Sequence, residues 1–184
     1  HTHTFDASLS DGVTTVGLSS SSAKGDTIFT NLKALANSEM SSGAGDLTVT
    51  HIDTVVSGTA DSATLTVSGQ TAGTFTETSA SAGGIETLNV VSKGSASTVN
   101  IGSSNNTLSL VNFTGDQNVT SGIGSTALKT INASTFTGKL DVSYNSAVNL
   151  TVTGGTNNNT ITFGSTNTLT SGDVVDGGAG TDTL

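Results

Sequence analysis

The sequence predicts an all-β protein, folded as a right-handed parallel β-solenoid, or β-roll, of short strands. Apolar and polar residues alternate in short runs such as Leu65-Thr66-Val67, and clusters of Gly, Ser and Asn separate these runs. Such alternation is the pattern of a half-buried strand, and the clusters favour turns. A Thr followed by Leu or Ile also recurs at intervals of 20 to 23 residues over several stretches. A repeat of twenty-odd residues is the length of one solenoid coil.

Eight alternating runs are predicted to form strands of three to six residues. In chain order they cover residues 47–49, 65–67, 85–90, 99–101, 108–110, 140–142, 148–152 and 161–163. Strands this short are more typical of a solenoid than of a sandwich. The Thr repeat has intervals of 23, 20 and 23 residues at Thr64, Thr87, Thr107 and Thr130, and of 23 from Thr160 to Thr183. Intervals of 30 and 37 residues are expected to be coils with insertions.

Residues 26–40 break this pattern and predict one short helix that caps or decorates the solenoid. Asp26 is placed as an N-cap, and the apolar residues that follow fall at helical spacing. These apolar residues are Ile28, Leu32, Leu35, Ala36 and Met40. Such a stripe is more often core packing than a partner site.

Composition excludes several classes of protein. The 184 residues suffice for one domain, and the low charged fraction of 10% argues against disorder. Fourteen acids against five lysines, with no arginine, give a net charge of −9 and argue against a nucleic-acid partner. The absence of cysteine excludes disulfides and thiol catalysis. No apolar run approaches the ~18 residues of a membrane span.

Catalytic chemistry has little support, and we expect the chain not to be an enzyme. The three histidines are His1, His3 and His51. His1 and His3 are expected at a solvated terminus, and His51 on a strand surface. Ser21 and Lys24 fit the S-x-x-K pattern of serine β-lactamase-like enzymes, but this serine lies in a four-serine run that indicates a loop.

The most informative segment is residues 177–184, Gly-Gly-Ala-Gly-Thr-Asp-Thr-Leu, which match the glycine- and aspartate-rich G-G-x-G-x-D-x-U repeat of calcium β-rolls. Residues 168–176 form a degenerate repeat in the same register, with Asp173 and Val175 at the aspartate and apolar positions. Glycine turns let carbonyl oxygens point at an ion, and aspartate adds a charged oxygen ligand. The sequence therefore predicts a Ca²⁺ site, or half of one, with an ion-free glycine turn as the alternative. Its predicted residues are Asp173, Asp176, Gly178, Gly180 and Asp182.

An ion-poor segment, residues 1–167, is expected to precede this calcium β-roll, residues 168–184. Residues 154–161 align with residues 177–184, with Asn159 in place of the aspartate, and residues 104–108 are a weaker echo. Asparagine stacks in ladders and accepts left-handed turn conformations without an ion.

The repeat resembles those of the RTX (repeats-in-toxin) family, and the chain resembles the RTX-type calcium-binding S-layer proteins of Gram-negative bacteria, including those of Caulobacter type. Residues 84–90, Gly-Ile-Glu-Thr-Leu-Asn-Val, resemble a segment that recurs in these proteins, and residues 5–8 and 131–134 resemble their F-D-A-S segments. Because the sequence starts with His and stops within a repeat, we expect it to be part of a longer polypeptide.

The resemblance implies a structural subunit of a secreted surface layer, located at the cell surface, whose folding and lattice assembly depend on calcium. The implied partners are other copies of the chain and cell-surface polysaccharide, the latter through regions outside this piece. Two alternatives are the stalk or binding segment of a large RTX adhesin, and the non-catalytic part of a secreted RTX hydrolase.

Overall fold

The computed structural model describes residues 1–81, 83–103, 105–145, 148–164 and 169–184. Within these residues the chain winds into a parallel β-solenoid of about seven turns, formed by two sheets. The predicted fold class is therefore confirmed, whereas its right-handed sense stays a prediction. No helix in the described residues is long and apolar enough to cross a membrane.

Each turn contributes strands to both sheets. Sheet 1 contains β1 (His3–Asp6), β3 (Thr27–Leu32), β5 (Leu47–His51), β7 (Thr74–Ser79), β9 (Ser97–Thr98), β10 (Asn100–Ser103), β12 (Val119–Ile123), β14 (Leu140–Tyr144) and β16 (Thr160–Phe163). Sheet 2 contains β2 (Thr15–Ser19), β4 (Asn37–Ser41), β6 (Ser62–Ser68), β8 (Thr87–Ser92), β11 (Leu110–Gly115), β13 (Thr130–Asn132), β15 (Thr151–Thr153) and β17 (Val174–Asp176).

Two edges connect the sheets. At the outbound edge, which includes residues 33–36, 52–61 and 124–129, the chain passes from sheet 1 to sheet 2. At the return edge, which includes residues 133–139, 154–159 and 177–182, it passes back to sheet 1. Pairing along both sheets is parallel, with partners between 19 residues apart, as for Asp141 and Thr160, and 28 residues apart, as for Leu47 and Phe75. Insertions at the edges account for this range.

The core is a set of apolar rows that run along the solenoid. Inward positions alternate with outward polar ones, so Leu65, Val90 and Phe113 of sheet 2 pair across successive turns and are buried. Leu47 and Phe75 form the corresponding buried row in sheet 1. Each turn therefore removes its neighbour's apolar side chains from water, at about 1.5–3 kcal/mol for a fully buried large side chain.

The predicted helix over residues 26–40 is wrong. This segment forms β3 and β4, and the helical turn that the described residues do contain is the short 3₁₀ segment Asp53–Val55. Leu32, Ala36 and Met40 are buried as expected, but they lie in a strand, in a tight connection and in the next strand. Asp26 does not cap a helix, because its carboxylate accepts a hydrogen bond from the Asp46 backbone N–H of the next turn at 3.2 Å.

The Thr repeat gives the length of a turn but only part of the register. Thr160 pairs with Thr183 as predicted. Thr64, however, pairs with Asn89, two positions beyond Thr87. Thr168 and the predicted domain boundary at residues 167 and 168 lie outside the described residues.

Candidate metal-binding turn

The turn at residues 177–182 lies directly against the turn at residues 154–159 on the return edge. The backbone N–H of Gly154 donates to the Asp176 carbonyl at 2.7 Å, and that of Ala179 donates to the Gly155 carbonyl at 3.0 Å. The predicted stacking of residues 154–161 on residues 177–184 is thus what the structure shows. The weaker echo at 104–108 does not belong to this stack, because Asn106 and Leu108 lie between β10 and β11 on the outbound edge.

Close contact between these turns requires glycine. Gly178 and Gly180 have positive φ angles of 84° and 113°. A Cβ added to Gly178 would lie 2.2 Å from the Gly155 carbonyl oxygen, and one added to Gly180 would lie 3.0 Å from that of Asn157. The repeat's glycines therefore allow both the left-handed backbone and the approach of the preceding turn.

Asp182 is the half-buried carboxylate of this turn. Its Oδ1 accepts hydrogen bonds from the Asn159 backbone N–H at 2.8 Å and from the Asn159 side chain at 3.1 Å. Its Oδ2 lies against Gly177, where an added Cβ would come within 2.4 Å. Asn159 is buried and in turn accepts a hydrogen bond from the Leu140 backbone N–H at 3.1 Å. Asp182 thus continues a polar stack that Asn159 begins.

Asp176 lies beside this turn, at the end of β17, where it is exposed. Its Oδ1 accepts a hydrogen bond from the Gly178 backbone N–H at 2.9 Å. The structure therefore brings together four of the five predicted ligand residues, Asp176, Gly178, Gly180 and Asp182.

Asp173 is separated from these four. It precedes β17 on the outbound edge, so the three-residue strand, about 10 Å long at 3.3 Å per residue, lies between it and the glycine turn. Its carboxylate accepts hydrogen bonds from the backbone N–H groups of Thr170 and Leu150, both at 2.7 Å, and these lower the pKa of Asp173. This carboxylate joins adjacent turns of the solenoid.

The described residues contain no group of three or more His, Cys, Asp or Glu side chains that could hold a metal ion. A site at the glycine turn would rely on Asp182 and on backbone oxygens, the ligand types that Ca²⁺ accepts. Some of these oxygens already accept hydrogen bonds, since the Asn159 side chain donates to the carbonyls of Asn157 and Gly177 at 2.6 and 3.0 Å. The side chains and carbonyls of this turn would therefore supply at most part of a calcium shell, with Asp182 as its carboxylate.

Two of the three segments that resemble S-layer proteins form hydrogen-bonded turns. In residues 5–8 the Asp6 carboxylate accepts a hydrogen bond from the Ser8 N–H at 2.9 Å, and in residues 131–134 Asn132 accepts one from Ser134 at 3.1 Å. Both are turns in which an Asx side chain bonds the backbone two residues ahead, and each follows a strand.

His51, which was expected on a strand surface, is buried in the core. Its Nδ1 lies 3.0 Å from Oε1 of Glu77, which is also buried. Alternation gives both residues inward positions, Glu77 after Phe75 and His51 after Leu47 and Val49, but the sequence does not show that the two face each other. This pair is the titratable contact that sequence reasoning missed.

Three surface grooves lined by described residues contain no catalytic grouping of side chains. A groove of about 410 Å³ on sheet 1 is lined by glycines, Thr74, Asn100, Ser143 and neighbouring apolar residues. Grooves of about 480 and 360 Å³ contain Lys139 with Asp141, and Asp53 with Glu86. None of these three grooves is lined by a histidine. Ser21 of the S-x-x-K pattern lies in the connection between β2 and β3, where its hydroxyl accepts a hydrogen bond from the Gly45 N–H at 2.9 Å.

No protein-family model, no curated protein and no solved structure matches this chain.

Proposed function

We propose that this chain is a structural segment of a secreted, self-assembling bacterial surface layer whose folding and assembly calcium stabilises. The observation that carries the proposal is the stacking of the Asp182 turn, with its calcium-repeat sequence, on the Asn159 turn of the preceding coil. Asn159 needs no ion in its turn, whereas the next turn along the stack carries Asp182, whose carboxylate can bind Ca²⁺.

The solenoid itself supports a structural role. Its apolar rows and parallel pairing run from turn to turn, so similar contacts repeat along the described solenoid. The outer faces of its sheets are lined by Thr, Ser and Asn, side chains that suit lateral contacts between copies.

The negative net charge of the chain explains why assembly would depend on calcium. A net charge of −9 makes neighbouring copies repel one another unless cations neutralise the facing acids. A ligated divalent ion does this best because it is the largest local charge in its site. Calcium that binds the folded turns also stabilises them by mass action. Ligands from a second turn stacked on residues 177–184 would complete the shell that Asp182 begins.

The test compares the chain with the variants Asp182→Asn and Asp116→Asn. Asp116 is a matched control because it is exposed on the same edge, in a turn without the repeat. We expect millimolar calcium to raise the Tm of the wild type and of Asp116→Asn, and to have a clearly smaller effect on Asp182→Asn. Electron microscopy and sedimentation are expected to show ordered assemblies with calcium and dispersed chains with a chelator. The proposal would be contradicted if the chains stayed monomeric and their Tm did not change when calcium was added.

A further inference from the structure

The buried pair of His51 and Glu77 is the one titratable cluster in the core of the described solenoid. His51 ends β5, Glu77 lies in the middle of β7, and both side chains point inward from adjacent strands of sheet 1. Their side chains are 0% and 3% exposed, and Nδ1 of His51 lies 3.0 Å from Oε1 of Glu77. Elsewhere the inward rows of these strands are largely apolar.

The surroundings of the pair do not solvate a charge. Within the described residues neither carboxylate oxygen of Glu77 and neither ring nitrogen of His51 makes a hydrogen bond. The space beside Glu77, lined by Phe75, Ile85, Leu88 and their neighbours, is too small for a water molecule. A charge left on one member of the pair would therefore lie in an apolar environment without compensation, which costs several kcal/mol.

The other titratable groups near the pair lie on the surface or at the edges of the solenoid. Strands β3, β5, β7 and β10 of sheet 1 and β6 and β8 of sheet 2 contain no titratable side chain apart from His51 and Glu77. Glu39 of β4 is exposed on the outer face of sheet 2. At the outbound edge, Asp53 accepts hydrogen bonds from Ser81. At the same edge the Asp61 backbone N–H donates to the Glu86 carboxylate, and the Glu86 backbone N–H donates to the Asp61 carbonyl. Lys33 forms an ion pair with Asp11.

We propose that His51 and Glu77 form a proton-dependent lock in the solenoid. The pair is stable in the core only while the two side chains hold one proton between them. Loss of that proton separates the turns around β5 and β7 from each other. With one proton on the pair its net charge is zero, and Nδ1 and Oε1 lie 3.0 Å apart, within ion-pair distance but without hydrogen-bond geometry. Without the proton, a buried carboxylate faces a neutral imidazole.

The direction of the pH dependence follows from the two groups. Burial raises the pKa of Glu77 to about 8, so its folded-state stabilisation is complete below its ordinary value of 4.5 and is lost as the pH rises through 8. Burial lowers the pKa of His51 to about 4, against a smaller opposing effect of the Ala34 backbone, so its contribution is lost as the pH falls from 6.5 through 4. Below neutral pH the two effects largely cancel, and the lock therefore opens on the alkaline side.

Opening is expected to be local. The longest described insertion at the outbound edge, residues 52–61, follows β5 directly, and the pairing of β3 with β5 shifts register between Phe29 and Leu32. Turns of a solenoid are held mainly by their neighbours. Loss of the β5–β7 contact therefore uncouples the first turns of the solenoid from the later ones.

The experiment measures the unfolding equilibrium of the chain in urea between about pH 5.5 and pH 9, for the wild type, Glu77→Gln and the matched control Glu39→Gln. We expect the wild type and Glu39→Gln to lose stability on the order of 20-fold in the equilibrium constant over this range. Glu77→Gln is expected to gain stability as the pH rises to about 7.5, since only His51 then titrates. A wild type that is no more alkali-sensitive than Glu77→Gln would overturn the proposal.

Hydrogen exchange on the wild type gives a second readout that needs no variant. After correction for the intrinsic effect of pH on exchange, amides of β5 and β7 are expected to lose protection between pH 6.5 and pH 9. Amides of β12 and β14, in turns without a buried acid, are expected to keep theirs. Equal loss of protection in both regions would also overturn the proposal.

Discussion

Single glycines decide how closely successive turns of this solenoid approach. Gly115 and Gly178 both have positive φ angles, and a Cβ on either would lie within 2.1–2.2 Å of a carbonyl oxygen of the neighbouring turn. Gly12 has a similar φ of 74° but has no atom within 4 Å of the position of a Cβ. These residues separate the two roles of glycine, which are backbone conformation and close approach.

We predict that Gly178→Ala destabilises the turn at residues 177–182 by about 1–3 kcal/mol, because the new methyl group collides with the Gly155 carbonyl as well as straining the backbone. Gly12→Ala, with strain alone, is expected to cost about 1 kcal/mol. Hydrogen exchange of Ile161 and Thr183, whose N–H groups bond across this stack, measures the first effect. Equal costs for the two variants would show that the close approach is not a constraint.

The sequence pattern identifies this glycine turn and its stacking partner, but it does not place Asp173. Asp173 and Asp182 are nine residues apart, and a nine-residue step carries the chain across a strand from one edge to the other. Consecutive nine-residue repeats therefore lie on opposite edges of the solenoid, and aligning the repeats along the sequence does not reveal this. His51 and Glu77 were missed for a related reason: their contact joins residues 26 positions apart across an insertion of unpredicted length.

At the scale of strands, a ladder of asparagines runs across the outer face of sheet 2. The Asn112 side chain donates to that of Asn89 at 2.9 Å and accepts from that of Asn132 at 3.3 Å. Thr64 and Thr153 extend the same row in register. The composition predicts asparagine stacking, but the intervals of 23 and 20 residues between these asparagines emerge only from the observed pairing.

We predict that Asn112→Ala destabilises the β8, β11 and β13 region by about 1 kcal/mol, because two half-buried side-chain hydrogen bonds are lost. Asn37→Ala is the matched control, since Asn37 lies in the same row of sheet 2 and its side chain makes no hydrogen bond with the described residues. Urea denaturation of the two variants measures the difference. An Asn112→Ala protein as stable as Asn37→Ala would show that the ladder contributes nothing.

Residues 26–40 show why a helix was predicted where two strands form. Buried residues at 32, 36 and 40 have the spacing of a helix, yet a strand, a four-residue connection and a second strand produce the same spacing. The β-branched residues Thr27, Ile28 and Thr30 favour the strand. Pairing of β3 with both neighbours, and of β4 with β2 and β6, supplies the non-local hydrogen bonds that decide the outcome.

At the scale of the whole molecule, stability is a sum over neighbouring turns, because each strand bonds only to the strands above and below it. A defect in one turn is therefore expected to spread to adjacent turns before it reaches distant ones. Phe113, which is buried and lies 6.4 Å from Phe136 between ring centroids, is a suitable place for such a defect. Phe5 is a contrasting aromatic residue, 54% exposed and stacked on Phe29 at 5.3 Å in the first turn.

We predict that Phe113→Ala costs about 3–5 kcal/mol through lost burial and the cavity left behind. Phe5→Ala, whose ring is half exposed, is expected to cost about 1 kcal/mol. Hydrogen exchange along the chain checks where each cost appears. Protection is expected to fall most in β8, β11 and β13 for Phe113→Ala, and in β1 and β3 for Phe5→Ala, because these strands hold the direct neighbours of the altered rings. If Phe113→Ala instead lowers protection equally from β3 to β16, the described turns unfold as one cooperative unit, and that result would contradict both the neighbour-by-neighbour stability of the solenoid and the local opening proposed for the turns around β5 and β7.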